Sequence, residues 1–296
     1  MNRIYTILAA LVVLTSCEKL SLDMQDGETS GSSSTQSTQT NKNKKNFTFT
    51  IKGDFGAPTF TRAYMSANGT EMTDLWVFDY MDGVCVQSLH QTNGDDDWGT
   101  PKMALDYGSH HVYFVASRGM EPSVDEDKHE IVWGNVRDTF WKDYEVTVVS
   151  SSNGNRAVTL DRMVAKLRIT LEDEIPEGCN QVAITPDTWY YGLDYTTGKA
   201  LYPQTKDRII SVASAVGKAN QALSIFGFSD DQEWETDVEV VATDGSGKRV
   251  GAVTLEGAKF LRNRSTEYSG KLFYISGSNV DVSLSEEWLE PKTETF

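Results

Sequence analysis

The chain is short of the residues that most often carry chemistry: four histidines and three cysteines in 296 residues. Basic residues are scarce as well, with 27 Lys and Arg against 43 Asp and Glu, for a formal charge of −16. That sign opposes the electrostatic term that dominates nucleic-acid binding, so no nucleic-acid partner is expected. No Gly-x-Ser-x-Gly occurs, which removes the serine-hydrolase elbow. His129-Glu130 is followed by Ile131-Val132-Trp133, which denies a zincin its second histidine. His110 and His111 are adjacent, and adjacent side chains on a strand face opposite ways; they read as solvated residues at a strand start rather than a shared metal site. Asp95-Asp96-Asp97 lacks the alternation of a calcium loop and reads as a solvated acidic turn. Asp244-Gly245-Ser246-Gly247-Lys248 lacks phosphate-loop spacing and reads as a hairpin turn. No catalytic residue, metal or cofactor follows, and an enzyme is not expected.

An apolar run over residues 4–14, behind the basic Arg3, closes on Leu14-Thr15-Ser16-Cys17. It is too short for a bilayer span, which takes about 20 residues, and it has the order of a secretory signal with small residues before the cut. A cysteine just after the cut makes it a lipobox: the thiol takes a diacylglyceryl thioether and the freed amine a further acyl chain. Residues 1–16 are therefore expected to be a lipoprotein signal peptide, with Cys17 the lipidated residue, since two or more chains anchor stably. Cys85 and Cys179 are left in an exported, disulfide-permissive setting, but they are expected in different domains and not to pair. Residues 17–46 hold two leucines and no aromatic before Asn46. Such a segment cannot offset its ordering entropy and reads as a disordered tether with a reach of roughly 30 Å.

From Phe47 onward the dominant period is two, the mark of half-buried strands. Phe47, Phe49 and Ile51 alternate with Thr48 and Thr50, whereas Leu75 and Val77 face opposite to Trp76 and Phe78. Two apolar faces predict a central strand between covered layers. Residues 156–171 read as one long strand candidate, and residues 238–255 as a hairpin about Asp244-Gly245. Helical spacing is rare; residues 208–222 fit an amphipathic helix, although Ile209-Ile210 with Val212 fit a strand equally well. The pattern predicts an all-β chain of antiparallel β-sandwiches. Its length favours two domains, an N-terminal sandwich over 47–154 and a C-terminal one over 155–296, divided near Gly154. Trp189, Tyr190 and Tyr191, with Tyr195, form an aromatic cluster that reads either as a glycan-stacking platform or as core.

Three phrases, together with the lipobox, carry a resemblance: Asp74-Leu75-Trp76-Val77-Phe78-Asp79-Tyr80-Met81-Asp82-Gly83, Leu160-Asp161-Arg162-Met163-Val164-Ala165-Lys166-Leu167-Arg168-Ile169 and Leu261-Arg262-Asn263-Arg264-Ser265-Thr266-Glu267-Tyr268-Ser269-Gly270. In order and spacing the chain resembles the FimB/Mfa family of fimbrial lipoproteins. The resemblance implies two tandem transthyretin-like sandwiches, outer-membrane or fimbrial localisation through the N-terminal lipid, and other fimbrial subunits of a type V pilus as partners. Its implied function is β-augmentation, in which a donated strand fills a neighbour's groove. Shaft pilins of this kind are cut after a loop arginine, and Arg62 in Phe60-Thr61-Arg62-Ala63 is the matching position, an ordinary loop arginine being the other reading. Val280, Val282 and Leu284 alternate with Asp281 and Ser283, so residues 276–296 are either a donor strand or the last strand of the second sandwich. An anchor or assembly subunit is favoured, with a fimbrial tip adhesin or a surface glycan-binding lipoprotein as alternatives.

Overall fold

The computed structural model describes residues 43–53, 72–118 and 122–273, and residues 281–285 as backbone. In chain order the strands are β1 (Lys44–Gly53), β2 (Asp74–Met81), β3 (Val84–Thr92), β4 (Lys102–Asp106), β5 (Gly108–Ser117), β6 (Ser123–Asp125), β7 (Glu130–Val132), β8 (Thr139–Val148), β9 (Asn155–Arg162) and β10 (Ala165–Leu171). They continue with β11 (Cys179–Pro186), β12 (Trp189–Asp194), β13 (Lys199–Gln204), β14 (Arg208–Ser211), β15 (Gln221–Gly227), β16 (Glu233–Asp244), β17 (Arg249–Leu261), β18 (Ser265–Gly270) and β19 (Asp281–Ser285). The fold is all-β, as the period-two patterning predicts.

A seven-stranded sheet runs in the order β3-β2-β5-β8-β9-β1-β4. Its two wings share one core, with Leu75, Val77, Val112, Phe114 and Phe140 from one wing and Phe47, Phe49, Ile51, Met103, Leu105, Val158 and Leu160 from the other. The wings join where β8 meets β9 through Phe140↔Arg162 and Trp141↔Asp161. β2 is two-faced as its sequence predicts: Leu75 and Val77 enter this core, while Trp76, Phe78 and Tyr80 enter the second.

The second core lies between the sheets β15-β10-β18-β19 and β14-β11-β16-β17. Leu167, Ile169, Leu223 and Ile225 from the first sheet join Val182, Ile184, Val238 and Val240 from the other. A fourth sheet, β13-β12-β7-β6, combines hairpins from both halves of the chain, pairing Gly192 with Val132 and Leu193 with Ile131. It covers the outer face of β2 and β5: Phe78 stacks on Tyr195 with centroids 3.9 Å apart, and the Tyr80 and Tyr195 hydroxyls lie 3.0 Å apart. Burial pushes the Tyr80 phenol up to about 12 and raises that of Tyr195 further.

Three sequence expectations about boundaries are corrected. The division at Gly154 cuts through the first sandwich, because β9 pairs with β1 and with β8; residues 150–155 are a connection inside it. Residues 156–171 form two strands rather than one, and β9 and β10 enter different sheets across the buried pair Met163-Val164. The tether expected over residues 17–46 ends sooner, because Lys44 and Lys45 already pair with Asp106 and Leu105 in β1. Of the two readings open for residues 208–222, the strand holds over residues 208–211, which form β14.

The second and third phrases quoted above meet in space. Arg162 grips Asp138 with Nε and Nη2 at 2.7 and 3.0 Å, and donates from Nη1 to Asn263 Oδ1 at 3.0 Å. Its guanidinium also lies over the Phe140 ring, 4.7 Å from the centroid. Beside it, Asn263 N donates to Val164 O and Lys166 N to Arg264 O, where β10 and β18 run parallel. The phrases therefore mark the node at which the chain leaves the first sandwich and the second is tied to it.

Candidate functional site

β1 occupies a slot. It pairs antiparallel with β4, Phe47 opposite Met103, and parallel with β9, Phe49 opposite Arg156; β1–β9 is the parallel pair of an otherwise antiparallel seven-stranded sheet. Alternation alone places Phe47, Phe49 and Ile51 inward, each 0–1% exposed. Phe49 meets Phe114 edge-on with centroids 5.2 Å apart and Tyr144 at 6.0 Å. An added Cβ at Gly154 would lie 2.1 Å from Asn46 O, so only glycine lets the chain pass this closely, and Thr48 N donates to Gly154 O at 2.7 Å. Each of the three buried side chains contributes about 1.5–3 kcal/mol. Removing β1 would open the core and expose unpaired edges on β4 and β9.

Other candidate residues fall elsewhere. Cys17, Arg62 and Val280 lie outside the described residues. Val282 and Leu284 belong to β19, at the edge of its sheet, paired with Tyr268 and Thr266 of β18. Trp189 and Tyr191 are 0% and 1% exposed, which corrects the platform reading: a stacking surface needs free ring faces, and theirs are packed. Trp189 Nε1 donates to Phe226 O at 2.7 Å, and its ring so fills the space beside β15 that a Cβ at Gly227 would lie 2.0 Å from it. Tyr190 is partly buried against the same core. Cys179 is a buried free thiol, and no disulfide joins it to Cys85.

His110 is corrected too. It is buried rather than solvated, with Nδ1 2.7 Å from Asp79 Oδ1 and Nε2 2.9 Å from Asp106 O. Burial raises the Asp79 carboxyl, against the opposing hydrogen bond from His110. His111, on the opposite face as adjacency requires, sits with Asp143 and Glu145 of β8, their ligand atoms all within 4.8 Å of one another. Such exposed trios are common surface arrangements. Asp244 closes its hairpin as a turn residue, accepting from Ser246 Oγ, Ser246 N and Lys248 N at 2.7–2.9 Å, and the Ser246 bonds leave its carboxyl below the ordinary range.

A cavity of about 510 Å³ opens between β14 and β15 with residues 134–137 as a third wall. Three of its lining residues are cations, Arg137, Lys206 and Arg208, against the single acid Asp207. Arg208 is 5% exposed, lies over the Tyr191 ring at 4.4 Å and donates from Nη1 to Gly134 O at 2.9 Å. Burial lowers its guanidinium from the ordinary value. Its Nε and Nη2 have no hydrogen-bond partner, which is rare for buried polar atoms. The sequence shows no sign of this site, because its walls come from three separated segments.

No protein-family model matches the sequence, and no curated protein matches it. Solved structures do. A proposed adhesin from Bacteroides ovatus superposes with a TM-score of 0.51 at 11% identity, over 77% of this chain and 88% of its own. A second from Bacteroides ovatus gives 0.50 at 11%, over 82% and 94%. The fimbrial anchor protein Mfa2 from Porphyromonas gingivalis gives 0.47 at 8%, over 81% and 98%. At such identities the two adhesin likenesses establish a shared fold.

Proposed function

We propose that the chain is a lipid-anchored outer-membrane subunit of a type V fimbrium, an anchor or assembly subunit that joins pilins by strand donation. The observation that carries this reading is β1: a strand inserted parallel to β9, closing a groove that a donated strand would otherwise fill. In an anchor β1 stays and the groove remains shut. In a shaft pilin a cut after Arg62 severs β1 from the chain, so that a neighbour's strand can displace it and satisfy the main-chain groups of the groove. The lipobox at Cys17, the sequence phrases that resemble fimbrial lipoproteins and the fold shared with the two proposed adhesins support the same placement at the cell surface. The glycan-platform alternative loses its basis with the burial of Trp189 and Tyr191.

The deciding experiment is the N-terminal residue of the mature protein on cells. An acylated Cys17 is expected for an anchor; a new terminus at Ala63 overturns the anchor role in favour of a polymerising or tip subunit. Cys17→Ala should move the protein from the membrane to the soluble fraction. If the variant still sediments with outer membranes, a protein partner holds the chain there and the lipid does not.

A further inference from the structure

The cavity between β14 and β15 has the chemistry of an acidic-strand receptor. Among the described residues two arginines are almost fully buried, and they solve the problem differently. Arg162 directs Nη1 at a neutral oxygen and closes its parallel Nε/Nη2 fork on the Asp138 carboxylate. Arg208 likewise directs Nη1 at a neutral oxygen, Gly134 O, but its Nε/Nη2 fork meets no acceptor. Such a fork matches a carboxylate bidentately. A buried cation without a counter-charge is costly, and in a chain of net charge −16 the clustering of Arg137 and Lys206 on the same walls runs against the overall field.

The walls indicate how the carboxylate arrives. β14 ends the sheet β14-β11-β16-β17 and β15 ends the sheet β15-β10-β18-β19, so each presents an edge without a strand partner among the described residues. Edge main chain is a ready template for an added strand. Ile209, 61% exposed, adds an apolar contact. Main-chain donors and acceptors along two edges suit an extended peptide better than a compact sugar ring.

We propose that this cavity binds an extended peptide segment bearing a carboxylate side chain, with the main chain added to the β14 or β15 edge and the carboxylate held by the Arg208 fork and Lys206. The site is separate from the β1 slot and stands whether or not the chain is an anchor.

The test is calorimetric titration of the full chain with a capped heptapeptide of alternating valine and glutamate. Binding is expected, with at least tenfold weaker affinity for the glutamine counterpart, for a peptide N-methylated at alternate residues, and for Arg208→Gln protein. If Arg208→Gln does not give a native circular-dichroism spectrum, the exposed Lys206→Glu takes its place, with an expected loss of several fold. No binding of the glutamate peptide, or equal binding of the glutamine peptide, overturns the proposal. Binding of trigalacturonic acid in place of the peptide overturns it in favour of an acidic-sugar site.

Discussion

Phe49→Ala tests whether β1 is a packed strand or a loosely docked end. The side chain is fully buried, in ring contact with Phe47, Phe114 and Tyr144 at centroid distances of 5.9, 5.2 and 6.0 Å. Truncating such a phenylalanine costs about 3–5 kcal/mol in transfer and cavity terms together, against a total stability of about 5–15 kcal/mol for an ordinary domain. Urea unfolding followed by tryptophan fluorescence should show that loss. Thr50→Ala, on the opposite face of the same strand, should stay within about 0.5 kcal/mol. Cleavage after Arg62 sharpens the contrast, since β1 is then held by its pairing and packing alone. On gel filtration the cut wild-type protein should retain the β1 fragment and the cut Phe49→Ala protein should release it. A loss below about 1 kcal/mol in Phe49→Ala, or equal release from both cut proteins, would refute the slot.

Arg162→Met leaves Asp138 buried without its cation and should cost about 3–5 kcal/mol by chemical denaturation, with Arg162→Lys giving little rescue because the two-pronged contact is lost; a loss under 1 kcal/mol would refute the node. Cys179 should react with a thiol reagent in denaturant without prior reduction, and dithiothreitol should leave its reactivity unchanged; labelling that appears only after reduction would reveal a disulfide at Cys179. The Asp194 carboxyl feels burial, which raises it, yet hydrogen bonds from Thr196 and Thr197 prevail and hold it below the ordinary value. A lowered folded value makes its contribution complete above the unfolded pKa, about 3.9, and lost as pH falls through the folded value. Asp194→Ala should therefore be less stable than wild type at pH 7, the gap closing below about pH 4; a pH-independent gap would refute this. Deleting residues 276–296 should abolish co-purification with pilin subunits while the first sandwich stays folded; unchanged binding by a folded truncation would exclude the tail as the joint.

Much of the fold is legible in the sequence because strand burial has a period of two. The inward set of β1 and the double face of β2 follow from which neighbours alternate and which do not. What periodicity cannot tell is which sheet a strand joins. β9 and β10 read as one run because Met163-Val164 between them is as apolar as the strands, yet the chain changes sandwich there, and the loop-like residues 150–155 draw the boundary too early. His110 fails for a related reason: position at a strand start says nothing about the Asp79 carboxylate that arrives from β2.

The phrases that carried the family resemblance are informative for what they turn out to do. Two of them meet at the Arg162–Asn263 contact and the β10–β18 pairing, so they report how this architecture is tied together. They do not line the cavity between β14 and β15. Arg208 stands out in no motif, because an arginine is exposed by default, and its burial needs Tyr191 and Gly134 brought in from two distant hairpins. A resemblance resting on structural nodes can therefore persist while the partner changes, and the empty-handed Arg208 fork is the place where this chain's own specificity would be written.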